Sequence, residues 1–242
     1  MRFREVCRRV SESGDSPRTA GVGTLSERLL HRILKNYLDP CHENHEVSYL
    51  GSIVDIMNGE GVTEIQTRDL IRLSPKLEKL LPDTPVTVVY PITRIKTLCW
   101  LDPETGETTP PRRSPRRGRP SDALPELSRI RHYIGDKNLT VRIFMLDTEE
   151  YKELNGRGAD RKHYATRYER LPTELADIIT LRNVSDYKQL IPDTLPDEFS
   201  AKDFNRLTAL RGRRAYFSLK LLLDLGLLTR EMSGREYRYK RI

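Results

Sequence analysis

Residues Ser52 to Thr67 read SIVDIMNGEGVTEIQT, and the fold turns on how this stretch is paired. Two short apolar runs flank NGEG, a composition that makes a tight turn between antiparallel strands. Asp55 lies about as far before the turn as Glu64 lies after it. Side chains alternate along a strand, so Glu64 and Gln66 share one face and Ile65 takes the other. The two carboxylates can therefore meet across the hairpin. Ile53, Val54, Ile56, Val62 and Ile65 make both strands apolar around the acids. Such a hairpin belongs in a sheet covered on both faces, where a carboxylate needs a partner or a metal. The bland alternative is a surface hairpin with solvated acids.

Working outward, GTLSERLLHRILKNYLDP predicts an amphipathic helix capped at Thr24 or Ser26, with Leu29, Leu30, Ile33, Leu34 and Leu38 as its stripe. HEVSYLGSIVDIM reads as one strand bent at Gly51. RLSPKLEKLLP predicts a helix, TPVTVVYPI a strand and RIKTLCWLD a further strand. Residues 103–125 form a Pro-, Gly- and Arg-rich insertion carrying Arg112, Arg113, Arg116 and Arg117, too long for a simple connector. It can grip phosphates or be solvated. ELSRIRHYI predicts a helix, LTVRIFMLD a strand and PTELADIITL a helix. Between the last two, Asn155 to Pro172 mixes cations with Tyr164 and Tyr168, which suits nucleic-acid contact or a loop on the sheet edge.

Asp55, Glu64 and the Ile65 carbonyl are hard oxygen donors of the kind Mg²⁺ or Mn²⁺ takes. A metal there would polarise a phosphate or lower the pKa of a bound water. Gln66 can orient that water but brings no positive charge. At these residues the chain resembles the PD-(D/E)XK nuclease superfamily, whose signature is a helix, a hairpin carrying Asp and Glu-x-Lys, then a helix and a strand. The resemblance implies that Asp55 and Glu64 bind metal, that Gln66 stands in the lysine position, and that Glu27 assists from the preceding helix. Arg68 and Lys76 are nearby cations that can substitute for the missing lysine.

The net charge of +7 is localised: Ser200 to Ile242 holds eleven Lys/Arg and four Asp/Glu, and the rest of the chain balances. That pattern suggests a polyanion partner or a solvated basic surface. AKDFNRL after Ser200 predicts a capped helix, RRAYFSLKLLLDLG a second helix ended by Gly226, and LLTREM with EYRYKRI a hairpin closed at Ser233 and Gly234. This order resembles a winged helix-turn-helix domain. The resemblance implies that Arg211, Arg213, Arg214, Tyr216 and Lys220 face DNA from the second helix and its approach, with Arg235 and Arg238 on the wing. The alternative is a winged helix used for protein contact.

The expected architecture is α/β (α+β). It comprises a flexible segment 1–19, a restriction-endonuclease-like mixed sheet flanked by helices over 20–195, and a small winged-helix domain over 196–242. The expected function is metal-dependent DNA endonuclease acting on double-stranded DNA. The alternative is a catalytically inactive nuclease-like DNA-binding regulator, and an RNA-processing factor is a third class. A homodimer stays open, since two-fold symmetry is common among enzymes that cut both strands, although no heptad argues for it. No apolar run reaches membrane-span length, and no signal peptide is visible. Three scattered cysteines fit a reducing cytoplasm. CHENH offers three zinc-type ligands but lacks a second paired cluster. P-loop, dinucleotide-binding and nucleophile-elbow motifs are missing from the sequence.

Overall fold

The computed structural model describes residues 2–12, 25–102, 105, 107–153 and 166–242, with side chains for all of these except 25–28, 153 and 166–169. Helices α1 (Phe3–Glu12) and α2 (Leu25–Leu38) precede a seven-stranded mixed sheet. Its strands are β1 (His45–Tyr49), β2 (Ser52–Asn58), β3 (Gly61–Ile65), β4 (Val86–Leu101), β5 (Arg112–Arg113), β6 (Leu139–Glu153) and β7 (Thr166–Leu181). The spatial order is β1-β2-β3-β4-β6-β7, with β5 on the far half of β4. β4 runs parallel to both β3 and β6, and the other neighbours are antiparallel. The β3 to β4 crossover carries α3 (Ser74–Leu80), and the β5 to β6 crossover carries α4 (Leu124–Leu127). Then follow β8 (Glu198–Ser200), α5 (Ala201–Thr208), α6 (Arg213–Asp224), β9 (Leu228–Ser233) and β10 (Glu236–Arg241), with a small sheet ordered β8-β10-β9.

Strand alternation divides the sheet's apolar residues between two cores. Ile65, Val89, Phe144 and Leu146 pack with α1 and α2 on one face. Val62, Val88, Ile143 and Met145 pack with α3, α4 and the C-terminal elements on the other. Four antiparallel pairings and two parallel ones, the latter made by crossovers, thus give a mixed α+β sheet flanked by helices. The second core continues without a break into Phe199, Phe204, Leu219 and Leu222, so the 195/196 boundary marks no gap in packing.

Several elements differ from the sequence reading. His45 to Asn58 is two strands, because Leu50 (φ 46°) and Gly51 (φ 70°) both turn left-handed and reverse the chain. That is the backbone of a two-residue hairpin turn. β4 is one strand of 16 residues, continuing through Pro91. The Gln66 N–H bonds the Val89 carbonyl at 2.9 Å, and the next rung would need an N–H from Pro91, which has none. The β3 to β4 ladder stops there, while β6 carries β4 onward. PTELADIITL lies in strand β7, not a helix, because it pairs with β6 along its length.

Within the expected flexible segment 1–19, Phe3 to Glu12 forms α1, which buries Phe3, Val6, Cys7 and Val10. The last part of the expected insertion is also folded. Gly118 donates to the Arg94 carbonyl at 2.9 Å, and Ala123 and Leu124 are fully buried. Of the basic stretch Asn155 to Pro172, residues 155–165 lie outside the described residues.

Candidate active site

β2 and β3 pair only between Ile56–Asn58 and Gly61–Thr63. The turn between them is set by Asn58, whose side chain accepts from the Glu60 N–H at 2.9 Å. Gly61 (φ 108°) lets β3 press against β4: a Cβ there would stand 2.3 Å from the Pro85 carbonyl oxygen. Beyond Ile56 and Thr63 the two strands part, and Asp55 fills the gap. Its Oδ2 accepts the Ile65 N–H at 2.7 Å, so a side chain replaces the missing strand rung.

Two helices reach this opening from opposite faces of the sheet. From α2, His31 Nε2 lies 3.1 Å from Asp55 Oδ2. One turn later Lys35 bonds Glu46 Oε1 at 2.6 Å, and Glu46 on β1 is close enough to feel the charges of Asp55 and His31. From α3, Lys76 Nζ bonds both Glu64 oxygens at 2.8 Å and the Ile53 carbonyl at 2.7 Å. The result is a line of polar side chains, His31, Asp55, Glu64, Lys76, that passes through the sheet with its two acids side by side between the two bases.

Burial is severe: Glu64 is 3% exposed. Burial and the adjacent Asp55 charge push the Glu64 carboxyl above its ordinary value, and Lys76 with a main-chain bond at Asp55 only partly offsets them. For Asp55, burial pulls upward too. There the hydrogen bond and charge of His31, the Ile65 N–H and the charge of Lys76 prevail, and its pKa sits below the usual aspartate value. Two neighbouring carboxyls whose environments drive them in opposite directions are a hallmark of acid–base or metal sites, although structural ion pairs do this as well.

The structure brings together Asp55 and Glu64 as the sequence reading placed them. Gln66 turns away, its side-chain amide donating to the Arg68 carbonyl. Lys76, one of the two nearby cations named from the sequence, lies against Glu64. Glu27 lies one turn before His31 on α2, and its side chain is outside the described residues. His31, Lys35 and Glu46 went unread. The i, i+4 spacing of His31 and Lys35 within HRILK was the available signal.

No group of three or more His, Cys, Asp or Glu set to hold a metal occurs among the described residues. The Asp55 and Glu64 pair suits Mg²⁺ in another way. That ion keeps several waters and takes one or two carboxylates plus substrate phosphates. The donors here are hard oxygens, so they fit. CHENH serves a different purpose. Asp39 at the end of α2 accepts from the Cys41 N–H and from the Asn44 and Asn58 side chains, and its carbonyl bonds His45. The segment clamps α2 to the hairpin.

The basic residues fall into two groups. Arg112 and Arg113 sit exposed on β5, and Arg117 is exposed just after it. Arg116 instead leans 4.0 Å from Asp122 Oδ1, the same oxygen that Arg214 of α6 approaches to 3.5 Å. On α6 the buried side is Ala215, Ser218, Leu219, Leu221 and Leu222. The outward side shows Arg213, Tyr216 and Lys220, with Phe217 edge-on to Tyr216 and Lys220 3.3 Å from Asp224. Arg211 is exposed before the helix, and Arg235 and Arg238 are exposed on the β9 to β10 hairpin. Arg230 stacks 4.2 Å above the Tyr237 ring there.

A sheet that seats an acid pair between parting strands, with a helix on either face, defines a mixed α+β protein with a buried charged site. Residues 28–182 match the family described as Domain of unknown function (DUF8091), and the chain belongs to that family. The match spans the whole charged line and the large sheet through β7. A protein of Treponema pallidum (strain Nichols), described as "Uncharacterized protein", is 30% identical over 222 residues, covering 91% of this chain and 87% of its own length. No solved structure matches the chain. Among the described residues no helix is long and apolar enough to cross a membrane.

Proposed function

We propose that the protein is a metal-dependent DNA endonuclease with a PD-(D/E)XK-like core and a winged-helix C-terminal unit. The observation that carries this reading is the buried pair of Asp55 and Glu64 at the point where β2 and β3 separate, with Lys76 on Glu64. Keeping the Glu64 carboxylate buried beside Asp55 costs stability, and a catalytic use explains why the cost is borne. Asp55 and Glu64 are the residues that would hold Mg²⁺ or Mn²⁺. When bound, the ion supplies charge for a phosphate and acidifies water. Of the chain's own groups, His31 fixes the Asp55 carboxylate, and the Ile65 N–H occupies one of its lone pairs. Lys76 stands as the local cation that the Gln66 position lacks, able to orient a water or meet a phosphate oxygen beside Glu64.

The order helix, turn, helix, hairpin over 201–241 supports a winged helix, and the outward face of α6 with Arg213, Tyr216 and Lys220 supports DNA as its ligand. A second reading rests on a specific observation: both carboxylates are already engaged, Asp55 by His31 and Glu64 by Lys76. A regulator that keeps this line as a structural strut would bind DNA and leave it intact.

Plasmid, linear, branched and single-stranded DNA incubated with Mg²⁺, Mn²⁺ or EDTA separate the two. The enzyme reading expects cutting that needs metal and is lost in Asp55→Ala and Glu64→Ala. Tight, salt-sensitive duplex binding with no cutting on any substrate, unchanged in both variants, would establish the regulator instead.

A further inference from the structure

A second polar site lies on the face of the sheet that carries α4 and α6. Past Pro91, β4 has lost β3, and a cleft of ≈ 240 Å³ opens against it. Its walls include Tyr90, Lys96, Arg116, Asp122, Arg170 and Arg214. These come from β4, the loop after β5, β7 and the first turn of α6. Glu150 lies beneath, 3% exposed, 3.0 Å from Lys96 and 3.9 Å from Arg170.

We propose that this cleft binds a phosphate monoester, carried by a mononucleotide or by the end of a nucleic-acid strand. Four cations, Lys96, Arg116, Arg170 and Arg214, line one small cleft with Asp122. A phosphate monoester brings about −1.5 to −2 near neutral pH and three acceptor oxygens, the complement of such a cationic lining. Arg116 and Arg214 approach Asp122 at only 4.0 and 3.5 Å, too long for strong hydrogen bonds, so their donors are not saturated by it. Planar guanidinium forks from two sides are the usual means of gripping phosphate oxygens. The volume is below that of an ordinary small-molecule pocket, which suits a phosphate and its nearest substituent rather than a long ligand. Gly118 shapes the wall: a Cβ there would stand 2.1 Å from the Thr93 carbonyl oxygen, so the loop lies flat on β4. The cleft unites two basic segments remote in sequence, the insertion through Arg116 and the C-terminal unit through Arg214.

The test is calorimetric titration of the full chain carrying Glu64→Gln, in EDTA, so that no strand is cut. The probes are inorganic phosphate, a 5′-mononucleotide, and one short single strand with either a 5′-phosphate or a 5′-hydroxyl. Binding of the mononucleotide alone assigns a free nucleotide. A roughly tenfold preference for the phosphorylated strand end assigns the terminus. Arg116→Gln with Arg214→Gln should weaken either by about tenfold or more. Asp122→Asn removes the competing charge and should tighten binding several-fold, a gain that misfolding cannot mimic. Absence of binding by every probe, or affinities unmoved by all three substitutions, overturns the proposal. Because Glu64 is already neutralised, a chain that never cuts DNA would count against the endonuclease reading alone.

Discussion

Replacing Lys76 with methionine asks how much the line of charge through the sheet depends on its one cation from α3. The stem volume is nearly kept, and the loss is one ammonium that makes two 2.8 Å bonds to Glu64 and one of 2.7 Å to the Ile53 carbonyl. Hydrogen bonds to charged groups contribute about 1.5–3 kcal/mol, and stripping the partner from a buried charge costs about 3–5 kcal/mol. With Glu64 nearly inaccessible and Lys76 itself 30% exposed, Lys76→Met should cost about 3 kcal/mol at pH 7.5. The variant leaves Glu64 facing Asp55 alone, so its carboxyl, already raised, rises further. A raised carboxyl gives stability that is full below the unfolded glutamate value and is lost as pH climbs through the folded one. The deficit should therefore shrink as pH falls toward 5. Glu64→Gln removes the charge that burial opposes, so it should stabilise the fold at pH 7.5 and largely rescue Lys76→Met in the double variant. Urea unfolding at both pH values measures all four proteins. A Lys76→Met deficit under about 1 kcal/mol, equal at both pH values and not rescued by Glu64→Gln, would refute the argument and make the contact a surface ion pair.

Asp55 carries the opposite sign. Its pKa is held below the usual aspartate value, so its contribution is present above that value and disappears as pH falls through the folded one. Asp55→Asn should be less stable than the parent at pH 7, with the gap closing on acidification, as followed by circular dichroism. Gly61→Ala must place a methyl 2.3 Å from the Pro85 carbonyl oxygen at φ 108°, and should destabilise by about 3 kcal/mol or prevent soluble expression. Leu50→Asn creates Asn-Gly in a turn whose two residues both have positive φ, and should raise stability by about 1 kcal/mol in thermal melts.

Much of the site was legible because two periodicities agree. Alternation along SIVDI and VTEIQ, with Met57 and the turn NGEG between, puts Asp55 opposite Glu64 whatever surrounds them. The gap in the ladder that Asp55 fills was not legible, since it depends on where β2 and β3 part beyond Ile56 and Thr63. His31 was hidden among the apolar stripe residues of α2, and only the packed helix shows that it reaches β2. The error over β7 has a definite origin. Leu171, Leu175, Ile178 and Ile179 recur at i, i+4, i+7 and i+8, the signature of a helix face, yet the same run carries β-branched residues suited to a strand. The choice was made by β6, which offers an open edge along its full length. The Leu50 and Gly51 turn escaped notice because leucine is rarely left-handed. The C-terminal elements were read closely, since Ser200 with Asp203 forms a self-contained helix cap and Gly234 closes the hairpin.

The C-terminal unit is bolted to the sheet layer. Arg214 meets Asp122, Arg119 donates to the Leu207 carbonyl, Arg131 meets Asp224, and one apolar core runs beneath all three. A reader of DNA hung on a loose tether samples many distances from its blade. One fixed this way works as a ruler. Under the endonuclease proposal the fragments would end at a constant offset from the bound position, and lengthening the connection at residues 192–197 would blur that offset before it weakened binding.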